Sequence, residues 1–285
     1  MHQYISSRSA SIKAIIDLDS VIFAAGFAVQ KARYLARVID GGAPLDGGIL
    51  FDSKKEYTTW LKASGLEESK ITLEKQVTVE PVTHAYQAFD YLMGSILTSD
   101  DVIIDDWDAY LSGADNYRKL MPTNPVYKGN RDPNHRPAHE EALREYAVSK
   151  YGALVINGME ADDACGIAQC AAEPESTILI SVDKDLNMIP GWHYNYQKKT
   201  RYFIYEDEAT RFFWTQMVTG DTADNIKGIY GIGPVKAAAM LDGVALEDLE
   251  SVVWDAYLQE FEDDAERMYR QNQELLWILR EPLTT

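Results

Sequence analysis

Carboxylates recur at one kind of place along this sequence. Asp17 closes the apolar run KAIID, Asp115 follows AYLSGA, Glu160, Asp162 and Asp163 follow ALVINGM, and Asp183 and Asp185 follow TILIS. Asp221 and Asp224 stand three residues apart in GDTADN. Acids gathered on one site repel each other and lose hydration unless cations neutralise them. Oxygen donors without Cys or His partners suit hard divalent ions, Mg²⁺ or Mn²⁺, rather than zinc. Two such ions ~3.5–4 Å apart are the usual apparatus of phosphodiester hydrolysis. Each group also has a plainer reading. Acids at 160–163 suit a helix start, Asp183 could be an N-cap, and Asp115 before Asn116 is ordinary turn chemistry. Taken together they favour a metal centre.

A second feature follows directly in IKGIYGIGPVKAAAML. Gly228, Gly231 and Gly233 allow a tight turn and close approach of a partner. Pro234 suits the first position of a helix, where its missing N–H costs nothing. The free N–H groups of that helix start, with Lys236 one turn in, would meet an anion. A glycine turn joining two helices suits gripping a duplex backbone without reading bases. It is not a Walker A loop, because no Gly-Lys-Ser/Thr follows. The bland alternative is a glycine turn between packed helices.

The elements needed to position these groups are legible as an alternation. KAIID, AYLSGAD, ALVIN and TILIS read as strands, and AHEEALREYAVSKYG and EADDACGIAQCAA as helices. Strands alternating with helices predict an α/β fold with a mostly parallel central sheet flanked by helices, and in such sheets the C-terminal strand ends form one rim where ligands bind. Residues 20–39 and the stretch HAYQAFDYLMGSIL also read as helical. Residues 1–206 are assigned to the α/β core, with an insertion of some strand content at about 40–81 and, at about 116–137, a long loop or arch rich in Pro, Asn and bases. Residues 207–285 are assigned to a helical DNA-binding region.

Composition sets limits. The 285 residues carry a formal net charge of −18, which on average repels nucleic acid. The excess is uneven, with ten acids and no base from Asp242 to Glu266. From Arg118 to Arg144 the bases Arg118, Lys119, Lys128, Arg131, Arg136 and Arg144 outnumber Asp132, Glu140 and Glu141. Local field rather than net charge decides where a polyanion docks. No apolar run reaches the ~18 residues of a membrane span. MHQYISSRSASIK reads as a polar lead-in rather than a secretory signal. Cys165 and Cys170 suit neither a redox pair nor a disulfide framework. A reducing, cytoplasmic setting is expected.

GDTADNIKGIYGIG, GMEADDA, SVDKD and YKGNR closely resemble motifs of the flap-endonuclease-like 5′-nucleases. The DLDSVIFAAGF start and the length are most like the 5′→3′ exonucleases of short-tailed lytic phages. The resemblance runs from about Ala14 to Leu241 and does not cover residues 40–81 or the acidic tail. It implies a PIN/5′-nuclease-like fold with a helical arch and a helix–hairpin–helix motif. It implies two Mg²⁺ (or Mn²⁺) ions, one held by Asp17, Asp115 and Glu160 and the other by Asp183, Asp185 and Asp221. Asp162, Asp163 and Asp224 also match the family's acids, whereas Asp19 is a weaker match. Lys128 and Arg131 match the arch residues near the scissile phosphate, with Arg118 at the arch base. Gly228, Gly231, Gly233 and Lys236 match the duplex-binding hairpin, where the family also holds K⁺ through backbone carbonyls.

The implied activity is 5′→3′ exodeoxyribonuclease action on duplex DNA with a 5′ end, nick or flap. Flap endonuclease and RNA-primer removal on an RNA–DNA hybrid accompany it, in phage DNA replication and host DNA degradation. A monomer in the host cytoplasm, without membrane contact, is the matching expectation. A PIN-like ribonuclease and a non-catalytic DNA-binding module remain as alternatives; a phosphatase-type enzyme lacks its nucleophile context.

Overall fold

The computed structural model describes residues 12–40, 43–44, 47–98, 104 and 106–283; the polar lead-in before Ile12 lies outside them, as do four residues of DGGAPLDGG. The first described element is β1 (Lys13–Asp17), whose last four residues are buried. Helix α1 (Leu18–Ala28) follows without a loop, because the Asp17 carboxylate accepts the Asp19 N–H at 3.2 Å as N-cap.

The expected helix over 20–39 stops at Ala28. From there β2 (Gln30–Asp40) leads through β3 (Ala43–Pro44), β4 (Ile49–Phe51) and α2 (Lys54–Ser64) to β5 (Ile71–Val79). KARYLARVI has helix-forming composition, yet β2 pairs antiparallel with β5 from Gln30↔Val79 to Val38↔Ile71. Ladder pairing overrides local propensity here. The strand content expected at about 40–81 therefore starts already at Gln30. Helix α2 is capped by Ser53 and ends on Gly65 in the left-handed region. Its Tyr57 and Trp60 pack on Ala36, Phe51, Ile71 and Leu73, a small core separate from that of the body.

Helix α3 (Val82–Leu97) returns the chain to the body, which continues as β6 (Trp107–Asn116), α4 (Tyr117–Leu120) and α5 (Glu140–Tyr151). The expected helical arch is helical only over α4. From Met121 to Pro137 the chain runs mostly as successive turns, because Pro122, Pro125, Pro133 and Pro137 interrupt any longer helix. Then come β7 (Leu154–Gly158), α6 (Ala161–Ala171), β8 (Thr177–Ile180), β9 (Gly191–Asn195) and β10 (Thr200–Ile204).

The six-stranded sheet has the order β10-β9-β8-β1-β6-β7, and only β10 is antiparallel to its neighbour. Side chains alternate across β1. Ala14 and Ile16 enter a core with Val21 and Ile22 of α1, Phe89 of α3 and Leu143 of α5. Ile15 enters the opposite core with Cys165 of α6 and the C-terminal helices. The chain reaches β6 and β7 on one side of β1, then crosses through α6 to β8 on the other. The C-terminal end of β1 is therefore the switch point where open sheets of this kind have a crevice.

The remainder comprises α7 (Glu206–Thr219), the short hairpin β11 (Gly220–Asp221) and β12 (Ile226–Lys227), α8 (Pro234–Leu241), α9 (Leu249–Phe261) and α10 (Ala265–Leu276). Pro234 occupies the first turn of α8, as its fixed φ allows. Among the described residues no helix is long and apolar enough to cross a membrane.

Candidate active site

The rim at β1 and β8 is built by short polar links. Ser181, one residue past β8, donates its hydroxyl to Asp17 at 2.9 Å and accepts the Asp183 N–H at 3.0 Å. Asp183 caps the 3-10 turn Lys184–Met188 by accepting the Asp185 N–H at 2.9 Å. Burial, then repulsion from Asp19, pushes the Asp17 carboxyl up to about 7. Burial and Asp183 push Asp185 up to about 6.

Beside this rim a cavity of about 20 Å³ is lined by Glu160 and Asp162 from the start of α6, by Asp185, and by Asp221 and Asp224 from the hairpin. Five expected acids, separated by up to 64 positions in sequence, thus share one wall. Glu160 is the N-cap of α6, and Asp163 returns a bond to the Glu160 N–H. Glu160 thus takes part in the capping box of α6 and also lines the cavity, beside Asp162.

Cations compensate part of this charge. Lys128 Nζ bonds Glu160 and stands 3.5 Å from Asp224, and Arg131 bonds Asp224. The Tyr127 hydroxyl reaches Glu160 at 2.8 Å and Asp224 at 3.2 Å. Lys184 bridges Asp185 at 2.8 Å and Asp221 at 2.9 Å. For Glu160, burial acts upward but is outweighed by Lys128, Arg118 and Tyr127, so its pKa lies below the usual range. For Asp221, burial is likewise outweighed by Lys184 and the backbone amides of Ala223 and Asp224. Among the described residues Asp162 has no ion pair, and burial with repulsion from Glu160 and Asp163 holds its pKa well above the ordinary value.

Lys128 is aimed by the backbone. Its φ of 54° lies in the left-handed region, a conformation that costs of order 1 kcal/mol for a non-glycine residue. Three bonds hold it there. Lys128 N–H donates to Asp224 O at 2.8 Å, Asn130 Nδ2 to Thr222 O at 2.7 Å, and Asn225 Nδ2 to Val126 O at 2.9 Å. The turn-rich arch is thereby zipped to the hairpin that carries Asp221 and Asp224.

Four expectations are corrected by placement. Arg118 is 2% exposed and Asp163 is 0% exposed. The guanidinium grips Asp163 at 2.5 and 2.8 Å and also donates to the carbonyls of Leu275 and Trp277. Asp163 further accepts the Leu279 N–H at 3.0 Å. The pair locks α6 to the C-terminal segment: Arg118 lines the inner wall of the cavity, 3.6 Å from Glu160, with almost no exposed surface to offer a duplex, and Asp163 does not line the cavity. Asp115 is exposed, lies within the register irregularity of β6 between Ser112 and Asn116, and is not brought to the cavity. At Gly228 a Cβ would overlap the backbone atoms Thr219 C and Gly220 N, so close packing of two backbones requires this glycine rather than a partner. A Cβ at Gly231 or Gly233 would meet nothing within 4 Å, so both positions open outward, and Lys236 Nζ sits on Gly231 O at 2.8 Å.

Tyr127, Lys184 and Gln216 are site residues that motif reading missed; Gln216 Nε2 bonds Asp185 at 2.5 Å. Tyr127 and Lys184 lie inside the quoted motifs, and Lys184 could have been suspected as a lone cation between two acids. Asp19, the weaker match, is committed to Arg144 at 2.9 Å and to the Ser112 N–H at 3.0 Å.

Among the described residues no three carboxylates stand at the spacing needed to ligate one ion. The donor set nevertheless fits a hard cation, being all oxygen, while Asp17, Asp162 and Asp185 carry the raised pKa values of under-compensated acids. Glu160 and Asp224 stand against Lys128, and Asp185 and Asp221 against Lys184, so an ion there would compete with these lysines.

No protein-family model matches the sequence. Among solved structures the chain is similar to the bacteriophage T5 D15 protein co-crystallised with metal ions, at 16% identity and TM-score 0.46, covering 93% of this chain and 99% of that one. It is similar to T5 5′-exonuclease with bound zinc ions, at 17% identity and TM-score 0.46 over the same shares. It is also similar to the T5 D15 flap endonuclease in a pseudo-enzyme–product complex with DNA and metal ions. There the identity is 19% and the TM-score 0.43, with 67% of this chain and 90% of that chain covered.

Proposed function

We propose that this chain is a divalent-metal-dependent 5′-nuclease that hydrolyses phosphodiester bonds at the 5′ ends of DNA. The observation that carries the proposal is the single crevice formed by Glu160, Asp162, Asp185, Asp221 and Asp224 with Lys128 and Arg131 poised over it. Uncompensated acids beside displaceable cations suit a site that exchanges its own lysines for metal and phosphate.

Glu160, Asp162, Asp185, Asp221 and Asp224, with Asp17 and Asp183 at the rim, would hold two Mg²⁺ or Mn²⁺ ions. The ions, when bound, supply Lewis-acid activation of water and neutralise the phosphate. Released from Glu160, the Lys128 ammonium can reach the scissile phosphate and stabilise charge developing on its oxygens. Glu160 and Asp224 outweigh burial and raise the Lys128 pKa, which keeps it protonated for that task. Arg131, exposed beside it, can take a neighbouring oxygen by its fork of donors. Tyr127 positions Glu160 by its hydroxyl. The outward Gly231, Gly233 and the start of α8 would lie along the duplex backbone. A K⁺ ion on the Gly231 carbonyl there would displace Lys236.

The finer reading we propose is 5′→3′ exonuclease action on duplex DNA in phage DNA replication, with flap cleavage and RNA-primer removal as accompanying activities of the same crevice. The test is Mg²⁺-dependent release from 5′-labelled blunt, nicked and flapped duplexes, with product sizes resolved. Short 5′ products that vanish with EDTA and in Asp185→Ala support it. Tight duplex binding without release would leave a binding module, and cleavage of RNA alone would leave a PIN-like ribonuclease.

A further inference from the structure

Helices α9 and α10 pack antiparallel and leave a groove of about 780 Å³ between them, remote in sequence from the crevice acids. Its walls follow helical spacing. Glu247, Glu250, Trp254 and Leu258 share one face of the α9 segment. Glu262, Glu266, Tyr269 and Gln273 do the same on the α10 side. The floor is apolar and aromatic, with the Trp254 and Tyr269 rings edge to face at 5.2 Å and Leu258 43% exposed.

The rim is acidic. Glu247, Glu250, Glu262, Asp263 and Glu266 face one base, Arg270, which is paired with Glu266 at 2.6 Å. Five carboxylates would repel a nucleic acid backbone, so the groove is not a continuation of the proposed DNA surface. Nor does the rest of this chain fill it among the described residues. Beyond α10, Leu279 N–H bonds Asp163 and Arg280 bonds Glu206, which draws that segment elsewhere.

We propose that this groove docks a basic amphipathic helix of a partner protein, its apolar face on Trp254 and Leu258 and its Lys or Arg residues along the two acidic rims. An apolar trough between two helices accepts a third helix by its i, i+3, i+4 and i+7 positions. The charge complementarity selects basic partners and speeds their encounter. The concentration of acids from Asp242 to Glu266, unexplained by the nuclease proposal, is then the partner-selecting edge of the molecule.

The test uses the full chain and a synthetic peptide of about 14 residues, matched to the ~20 Å length of α9, with Leu at helical spacing and Lys elsewhere. A Glu-for-Lys version and an oligolysine of equal charge are controls. Binding is followed by titration calorimetry with and without Mg²⁺, and the site by hydrogen exchange. Saturable binding of the Lys/Leu peptide is expected, with protection across 247–273, weaker affinity at higher salt, and little binding of either control. Reversing the exposed rim by Glu250→Lys, Glu262→Lys and Glu266→Lys together should weaken the affinity roughly tenfold or more. The same variant should retain nuclease activity, which separates this proposal from the previous one. Unchanged affinity in that variant, protection at the crevice instead, equal binding of oligolysine, or no binding would each overturn it. Concentration-dependent self-association of the chain abolished by the same substitutions would assign the groove to a second copy and also overturn it.

Discussion

Arg118→Met separates a structural arginine from a DNA contact. In the folded protein the guanidinium is buried, bidentate on Asp163 at 2.5 and 2.8 Å, and bonded to the Leu275 and Trp277 carbonyls. Removing it leaves Asp163 as a fully buried carboxylate with, among the described residues, only the Leu279 and Glu160 amides to satisfy it. Breaking one side of a buried pair costs about 3–5 kcal/mol. At roughly 2–4 °C per kcal/mol for a chain of this size, Tm should fall by about 6–20 °C. The double variant Arg118→Met with Asp163→Leu removes both charges, and should recover much of that loss. Urea and thermal unfolding of the two variants measure this directly, while duplex affinity is read below the transition. A Tm drop under about 2 °C, or weakened DNA binding with unchanged stability, would refute the reasoning and return Arg118 to the DNA surface.

Three further outcomes follow from the crevice and hairpin. Lys184→Gln removes the cation bridging Asp185 and Asp221, so without metal the variant should melt lower, while Mg²⁺ measured by calorimetry should bind several-fold more tightly; unchanged affinity counts against the bridge as a competitor. Without metal, Tm should rise as pH falls from 7.5 towards 6. Folded Asp17, with its pKa raised to about 7, then binds a proton that the unfolded chain does not, Asp185 adds to this near 6, and Asp17→Asn should flatten the trend. Buried His193, depressed to about 4, opposes the trend below about 6.5 because only the unfolded chain protonates there. Gly228→Ala should destabilise the fold, because its Cβ would overlap the backbone of Thr219 and Gly220. Gly231→Ala should cost only about 1 kcal/mol, for its φ of 73°. Equal melting losses in the two variants would contradict the hairpin packing.

The alternation of parallel strands with helices was legible because buried strands and capped helices carry local signals, whereas the order of the strands within the sheet was not, because pairing joins segments far apart in sequence. The length of α1 was not legible, because KARYLARVI has helical composition and becomes strand only through its ladder with β5, some forty residues away. The arch misled for the converse reason: a family resemblance implied helix, where four prolines enforce turns.

Sequence alone determined the inventory of oxygen donors, the glycine turn before α8 and the parallel α/β alternation, since each depends on residue type and near neighbours. Only the tertiary structure decided which acids meet. Asp163 and Asp221 look alike in sequence, yet one is neutralised by a buried arginine and the other lines the crevice. The electrostatics of a carboxylate depend on its burial and on the cations within a few ångströms, and folding alone sets both.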